Sequence, residues 1–452
     1  MSRRSARATL SNDLRSSMID AGAYSLMVGM GETYLTAFAL ALSISEIATG
    51  LLAAFPMLFG ATLQLAAPWC IGRLGSHRIW IVSCAIAQAV CLFVMPIAAI
   101  AGRWQLAVLY IAASLYWASG LATGPAWNTW AEEIIPPIIR TRFFAFRSRV
   151  SQFCLLVGFA AGGLVLAYAK RNAFVVAAFT AIFILSGISR LVSASALYRQ
   201  SEPSAGRAAR GHKSLRHVLL NLRGHAGGRL LMYLFAVQVA VQLSGPYFTP
   251  FMLARRGMTY TEYMFLIALG FLGKVIALPA WGRLAKRAGV QPLMWIGGVG
   301  IVPLSGCWLG LQWIEHDVLY LSVVQVLGGF AWAAYELAFF LMFFETIPRH
   351  ERTSVLTIYN FTNALALVFG ASLGAGWLAL VGESGGSYLQ LFGLSSAARL
   401  LALVFLMRVP QMEIRAVAMS LRTLALRPSE GGSLDRPVLS TIEDDQAEKV
   451  PR

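Results

Sequence analysis

The chain has 452 residues, of which 57% are hydrophobic and only 13% are charged, and its mean hydropathy is +0.64. A soluble domain carries about a quarter charged residues, so this composition excludes an ordinary soluble globular protein. The formal net charge of +16 would suit a nucleic-acid partner. The basic residues are concentrated beside apolar segments, which argues for a lipid bilayer instead, and we predict no nucleic-acid partner.

Apolar stretches long enough to cross about 30 Å of hydrocarbon recur from Met18 to Met407. They predict an all-α membrane protein with twelve transmembrane helices. The predicted spans, in chain order, are 18–42, 46–69, 79–100, 106–130, 150–169, 173–196, 229–252, 262–281, 292–313, 318–343, 354–379 and 388–407.

The positions of the Lys and Arg residues predict the orientation of these spans. When the N-terminus is placed inside, most of the 37 basic residues fall in cytoplasmic segments. The outer loops then hold only Arg103, Lys170, Arg171, Arg255 and Arg256. This asymmetry follows the positive-inside rule. We therefore expect a multi-pass protein of the plasma or bacterial inner membrane, with both termini in the cytoplasm.

One long polar break divides the apolar part of the chain into two sets of six spans. The expected organisation is a cytoplasmic N-terminal segment (1–17), an N-terminal six-helix bundle (18–196), a cytoplasmic linker (197–228), a C-terminal six-helix bundle (229–407) and a cytoplasmic tail (408–452). The linker and the tail are rich in basic and polar residues.

The two halves share an internal repeat. Glu133-Ile-Ile-Pro136 returns as Glu345-Thr-Ile-Pro348. At the same offset of 212 residues Gly158 and Gly162 return as Gly370 and Gly374, and the segment 183–191 returns 209 residues later as 392–400. Several widely spaced matches at nearly the same offset indicate a duplication that gives two pseudo-symmetric bundles. In transporters built this way the substrate site lies between the halves, near the middle of the membrane.

A turn motif, present in each half, identifies a family resemblance. The first copy reads Gly72-Arg-Leu-Gly75 and the second Gly282-Arg-Leu-Ala-Lys-Arg-Ala-Gly289. With the twelve spans, these loops make the chain similar to members of the major facilitator superfamily, in which the loop reads Gly-x-x-x-Asp-Arg-x-Gly-Arg-Arg. The acidic position of that pattern is replaced by Gly72 and Lys286. The intramembrane arginine and the Gly-Pro element of the family's drug antiporters are absent.

The resemblance also implies an inner gate. Glu133-x6-Arg140 and Glu345-x6-Arg352 resemble a pattern of the family's sugar porters, in which these residues form cytoplasmic ion pairs when the cavity opens outward. Carried over to this sequence, the gate consists of Arg73, Gly75, Glu133, Arg140, Arg287, Gly289, Glu345 and Arg352.

Five of the charged residues inside predicted spans stand out, because a charge at mid-bilayer costs roughly 2.5–3.5 kcal/mol on insertion scales. Arg190 and Arg399 are counterparts in the repeat and lie near inner helix ends, so we interpret them as structural or lipid-contacting residues. Glu32, Lys274 and Glu336 have no charged counterpart in the other half. A charge present in only one half is better explained by a role in the shared cavity.

Lys274 and Glu336 lie at the same depth, because each precedes its inner loop by the same number of residues. They can therefore form either a proton- or cation-binding centre or a salt bridge that only supports packing. Glu32 is a second carboxylate that lies either in the cavity or closer to the outer surface. Polar stripes add Gln238 and Gln242 on the seventh span.

The eleventh span adds Asn360 and Asn363, and these amides are either substrate ligands or interhelical contacts. The histidines and cysteines do not have the spacing of a metal site, and we predict no metal and no cofactor. No arrangement of residues suggests an enzyme.

The favoured function is a secondary transporter that moves a small solute by alternating access, coupled to protons, and acts as a monomer. The alternatives are a passive uniporter of a sugar-like solute, or a sensor or lipid scramblase on the same fold.

Overall fold

The computed structural model describes residues 3–202, 226–314, 316–346 and 352–409. These residues form helices joined by short turns and contain no strand. The predicted linker 197–228 and tail 408–452 fall largely outside the described residues.

The helices of the first half begin with α1, which is followed by a short 3₁₀ segment at Glu32–Tyr34. The helices are α1 (Arg3–Met30), α2 (Leu35–Ala41), α3 (Glu46–Leu52), α4 (Phe55–Gln64), α5 (Ala67–Leu74), α6 (His77–Val94), α7 (Gln105–Ile134), α8 (Pro137–Arg171) and α9 (Val175–Tyr198).

The second half repeats this arrangement. Its helices are α10 (Ala226–Gln242), α11 (Tyr260–Ala288), α12 (Val290–Gly300), α13 (Val302–Gly306), α14 (Asp317–Thr346), α15 (Arg352–Val381) and α16 (Gly385–Met407). Short helical turns between Gly245 and Arg255 continue α10 towards α11.

Eleven helices in the described part of the chain are long and apolar enough to cross a membrane. They agree with eleven of the twelve predicted spans. These helices are Glu46–Gln64, His77–Ile100, Gly102–Gly124, Arg142–Arg171, Val175–Tyr198, Gly228–Arg255, Tyr260–Ala285, Val290–Gln312, Asp317–Phe339, Ile358–Val381 and Gly385–Met407. The predicted first span, 18–42, is helical but broken at Gly31 and is not among the eleven, so the count of twelve stays a prediction.

The repeated glycines mark the same helix crossing in both halves. A methyl group added at Gly158 would lie 2.6 Å from the carbonyl oxygen of Leu26, so α8 and α1 touch backbone to backbone. A methyl group at Gly370 would lie 2.5 Å from the carbonyl oxygen of Val239, where α15 crosses α10. Small residues allow this close approach of membrane helices. The repeated glycines therefore make the same close contact between helix backbones in both halves.

The two halves meet at the end of the bundle where α2 turns into α3, which we call the Glu46 end. The rings of Phe179 and Tyr260, one from each half, lie edge to face with their centroids 6.0 Å apart. Tyr34 and Tyr263 approach each other across the same interface, at 6.5 Å. Buried aromatic contacts of this kind close the Glu46 end.

Candidate functional site

The two predicted charges of the second half form an ion pair. The Nζ atom of Lys274 on α11 donates to Oε1 of Glu336 on α14 across 2.8 Å. Both residues are almost fully buried, with 5% of Lys274 and 4% of Glu336 exposed. The structure thus brings together two residues separated by 62 positions in the sequence.

Small residues set the distance between the helices that carry this pair. A methyl group at Gly329 would lie 2.8 Å from the backbone nitrogen of Lys274, and one at Gly273 would lie 2.7 Å from the carbonyl oxygen of Val326. The α11 and α14 backbones are therefore in contact beside the pair. Glycines already bring α11 and α14 into close contact, so the ion pair is not needed to hold these helices together.

A small cavity of about 50 Å³ adjoins Lys274. It lies within the second half, among α11, α13, α14 and α16. Its polar lining includes Ser305 and Gln325, and its aromatic lining includes Trp308 and Trp332. Polar atoms that face an apolar cavity are typical of a small-ligand site.

Glu32 occupies a different environment, in the first half. It follows the break at Gly31, where α1 gives way to a 3₁₀ turn, and its side chain is partly exposed. The Tyr116 hydroxyl donates to its Oε2 atom across 2.5 Å and also lies 3.1 Å from the sulfur of Met27. The predicted second carboxylate is thus held by a tyrosine of α7.

The predicted amides divide into two groups. Gln238 and Gln242 on α10 are buried, with 2% and 5% exposed. A methyl group at Gly370 would lie 2.9 Å from Cβ of Gln242, so this glutamine packs at the crossing of α10 and α15. Asn360 and Asn363 on α15 are half-buried. Gln242 therefore has the position expected of an interhelical contact.

The residues of the predicted inner gate lie at the opposite end of the bundle, which we call the Gly75 end. Gly75 ends α5 with φ +64°, in the left-handed region that favours glycine, and Gly289 ends α11 with φ +89°. The side chains of Arg73 and Arg287 are exposed. Side chains of the other four predicted gate residues lie outside the part that the structure describes: Glu133, Arg140, Glu345 and Arg352.

Of the two interpretations of Arg190 and Arg399, the structural one agrees with their contacts and the lipid-contacting one is wrong. Each is 3% exposed, and each points into its own bundle instead of reaching the interface. Arg190 donates to Oε1 of Gln88 across 2.9 Å and to the Ser193 hydroxyl across 2.6 Å. The guanidinium groups find polar partners inside the bundles, which the sequence repeat alone does not reveal.

A charged cluster at the Glu46 end was missed by the sequence reasoning. Arg255 of the second half forms an ion pair of 2.7 Å with Glu46 of the first half, and a longer one of 3.4 Å with Glu383. The Tyr388 hydroxyl also donates to Glu46. These four residues, the Glu46 cluster, fasten the two halves together. They lie at the ends of predicted loops, where charged residues are common and do not indicate a functional site.

Solved structures with a similar fold are transporters. The nucleoside transporter NupG has a TM-score of 0.65 at 11% identity, over 88% of this chain and 99% of that chain. A bacterial homologue of the iron transporter ferroportin, in an inward-facing state, has 0.67 at 16% identity, over 90% and 99%. The inward-open xylose transporter XylE from E. coli has 0.63 at 15% identity, over 90% and 97%. At these identities the likeness shows the fold alone.

No curated protein matches the sequence. The sequence does match the profile of the Major Facilitator Superfamily, over residues 17–371 and again over 230–428. These two matches together cover nearly the whole chain, and the duplicated bundles and the transporter fold agree with them. The chain therefore belongs to the Major Facilitator Superfamily.

Proposed function

We propose that this chain is a secondary active transporter in which the Lys274–Glu336 pair couples solute movement to protons. The observation that carries the proposal is a buried ion pair of 2.8 Å beside a cavity, on two helices that pack closely without it. Membership of a transporter family supports the general activity. The proton, the direction of transport and the orientation in the membrane belong to the proposal.

A purely structural role explains the pair less well. Its equivalents in the first half are Gly60 and Gly124, and α4 packs closely on α7 there without any charge: a methyl group at Gly60 would lie 2.7 Å from the carbonyl carbon of Trp117. Burying two charges costs several kcal/mol each, which their attraction offsets only in part. An expensive pair in one half of a duplicated fold is therefore better explained by function.

In the proposed mechanism, a proton that binds Glu336 neutralises its carboxylate and weakens the contact with Lys274. The released ammonium then needs a new partner, which a solute or a rearranged helix can supply. Because the pair is almost fully buried, this change in charge acts in a medium of low dielectric constant and has a large effect. The proton thereby biases the equilibrium between two arrangements of the halves.

The Glu46 cluster supports alternating access. It closes one end of the interface between the halves through contacts that have to break if that end is to open. In the proposed orientation, with both termini cytoplasmic, the Glu46 end faces outward and the conformation is closed to the outside. Glu133, Arg140, Glu345 and Arg352 then form the opposing gate in the outward-open state.

Proteoliposomes with an imposed pH gradient and a luminal pH dye test this proposal. A panel of cationic, anionic and neutral solutes is added in turn, and both solute uptake and proton movement are recorded. We expect at least one solute to accumulate while protons move. The double variant Lys274→Gln/Glu336→Gln removes both charges, so no unpaired ion remains to prevent folding. It should exchange this solute across the membrane without accumulating it.

Glu262→Gln is the matched control. Glu262 lies on α11, as does Lys274, but it is only half-buried and belongs to the N-terminal capping box with Thr259, which glutamine can also complete. This variant should accumulate solute normally. Accumulation that persists in the double variant would remove the pair from the mechanism. Solute flux without proton movement would instead indicate a uniporter. If none of the solutes is transported, a sensor or a lipid scramblase becomes the better explanation.

A further inference from the structure

Arg399 is a buried cation without a counter-ion among the residues that the structure describes. It is 3% exposed. Its Nη1 atom donates to the carbonyl oxygen of Ile301 across 3.0 Å, and its Nη2 atom lies 3.4 Å from the Ser244 hydroxyl. Its Nε atom has no hydrogen-bond partner within the described part of the chain. These neutral contacts solvate the guanidinium but leave its charge uncompensated.

The equivalent arginine of the first half has a carboxylate close by. Arg190 donates to the Ser193 hydroxyl, which in turn donates to Oδ1 of Asp20 across 2.7 Å. The equivalent helix crossings align Leu26 with Val239, and in that register the position of Asp20 corresponds to Tyr233, which carries no charge. The second half has therefore kept the arginine of the duplication without the acid, and a buried charge of this kind is costly unless something pairs with it.

The cavity described above is open to this arginine. Arg399 and Lys274 both line it, together with Ser305 and Gln325. Because Glu336 neutralises Lys274, Arg399 leaves one net positive charge at the cavity wall. A volume of about 50 Å³ is more than one water molecule needs and far less than a sugar or a nucleoside occupies.

We propose that this cavity binds one compact monovalent anion, such as a halide ion or the carboxylate group of a small solute, with the Arg399 guanidinium as its main partner. The Nε–H group of Arg399 supplies a free donor, and the side-chain amide of Gln325 supplies N–H groups. The Ser305 hydroxyl already donates to Ser244, so it contributes only to the polar wall. The anion neutralises the buried charge of Arg399. This site adds a ligand beside the coupling pair and does not depend on proton coupling.

Direct binding to the purified full chain tests the proposal, and no transport is required. The protein is exchanged into gluconate, an anion too large for the cavity, and titrated with radiolabelled chloride at constant ionic strength. We expect saturable binding of about one chloride per chain. The apparent Tm should rise by a few degrees on saturation, because a ligand that binds only the folded state stabilises it.

Two variants locate the site. Arg399→Gln should lose saturable chloride binding and should be at least as stable in gluconate as the parent protein, because it removes an uncompensated buried charge. Arg171→Gln removes an exposed arginine at the end of α8, which does not line the cavity, and should retain binding. Absence of saturable binding to the parent protein, or equal binding to Arg399→Gln, would overturn the proposal. A large loss of stability of Arg399→Gln in gluconate would also contradict it.

Competition distinguishes the two sources of the anion. Formate and acetate should displace chloride if the site accepts the carboxylate of an organic solute. Displacement by bromide and nitrate alone would identify a site for inorganic ions. Either result supports the compact anion site. Failure of the proton-coupled transport described above would leave these binding measurements unchanged, so the two proposals fail separately.

Discussion

Replacing Lys274 with glutamine tests how much the stability of the folded protein depends on the attraction between Lys274 and Glu336. Across 2.8 Å, two unit charges attract each other by about 6 kcal/mol at an effective dielectric constant of about 20. Desolvation of the two ions costs more than this attraction returns, so the intact pair adds no net stability. Lys274→Gln leaves the desolvation cost of Glu336 without the attraction. We therefore expect it to lower the free energy of unfolding by about 3–5 kcal/mol.

The double variant Lys274→Gln/Glu336→Gln completes the cycle. It has no buried ion in the pair, so it should recover most of the stability that Lys274→Gln loses. Thermal unfolding of detergent-purified protein, followed by size-exclusion chromatography with fluorescence detection, gives an apparent Tm for each variant. A double variant with the summed losses of both single variants would refute the reasoning, because independent effects cannot come from a direct ion pair.

Three further predictions concern packing, gating and topology. Gly158→Leu should lower the apparent Tm by several degrees, because the side chain would collide with α1, whereas Gly376→Leu should be tolerated because no atom lies within 4 Å of the added Cβ. Arg255→Gln should open the Glu46 end more often, measured as faster reaction of a cysteine placed in the interface there, and an unchanged rate would show that the ion pair is not a gate. A cysteine introduced at Ser204, in the predicted linker, should be labelled from the cytoplasmic side of intact cells, and labelling from outside would contradict the predicted orientation.

Much of the fold was predictable because a membrane simplifies the relation between sequence and structure. A span has to be apolar over its whole length, so eleven helices appear in the sequence close to the bounds that the structure gives them. The repeat of Gly158 as Gly370 predicted a duplicated bundle, and the structure shows the same backbone crossing in both halves. Matched depth and the cost of an unpaired charge made a contact of Lys274 with Glu336 possible, and the structure shows that contact.

The remaining contacts depend on how distant helices are arranged, which the sequence does not encode locally. Asp20 lies inside the predicted first span and pairs with Arg147 across 2.8 Å, yet it was not singled out. The rule that selected Glu32 applies equally to Asp20 and would have found it. Glu46 and Arg255 are different, because charges at helix ends are ordinary and only the tertiary structure shows that they meet.

The break in the first predicted span has a consequence for the biosynthesis of the protein. This segment carries Glu32 beside a 3₁₀ turn that interrupts the helix after Met30, and it is not among the eleven candidate spans. The hydrogen bond that accommodates its carboxylate comes from Tyr116, on a helix made much later by the ribosome. We expect the segment to insert poorly into the membrane in isolation. Its stable insertion should require that α7 has also been synthesised and inserted.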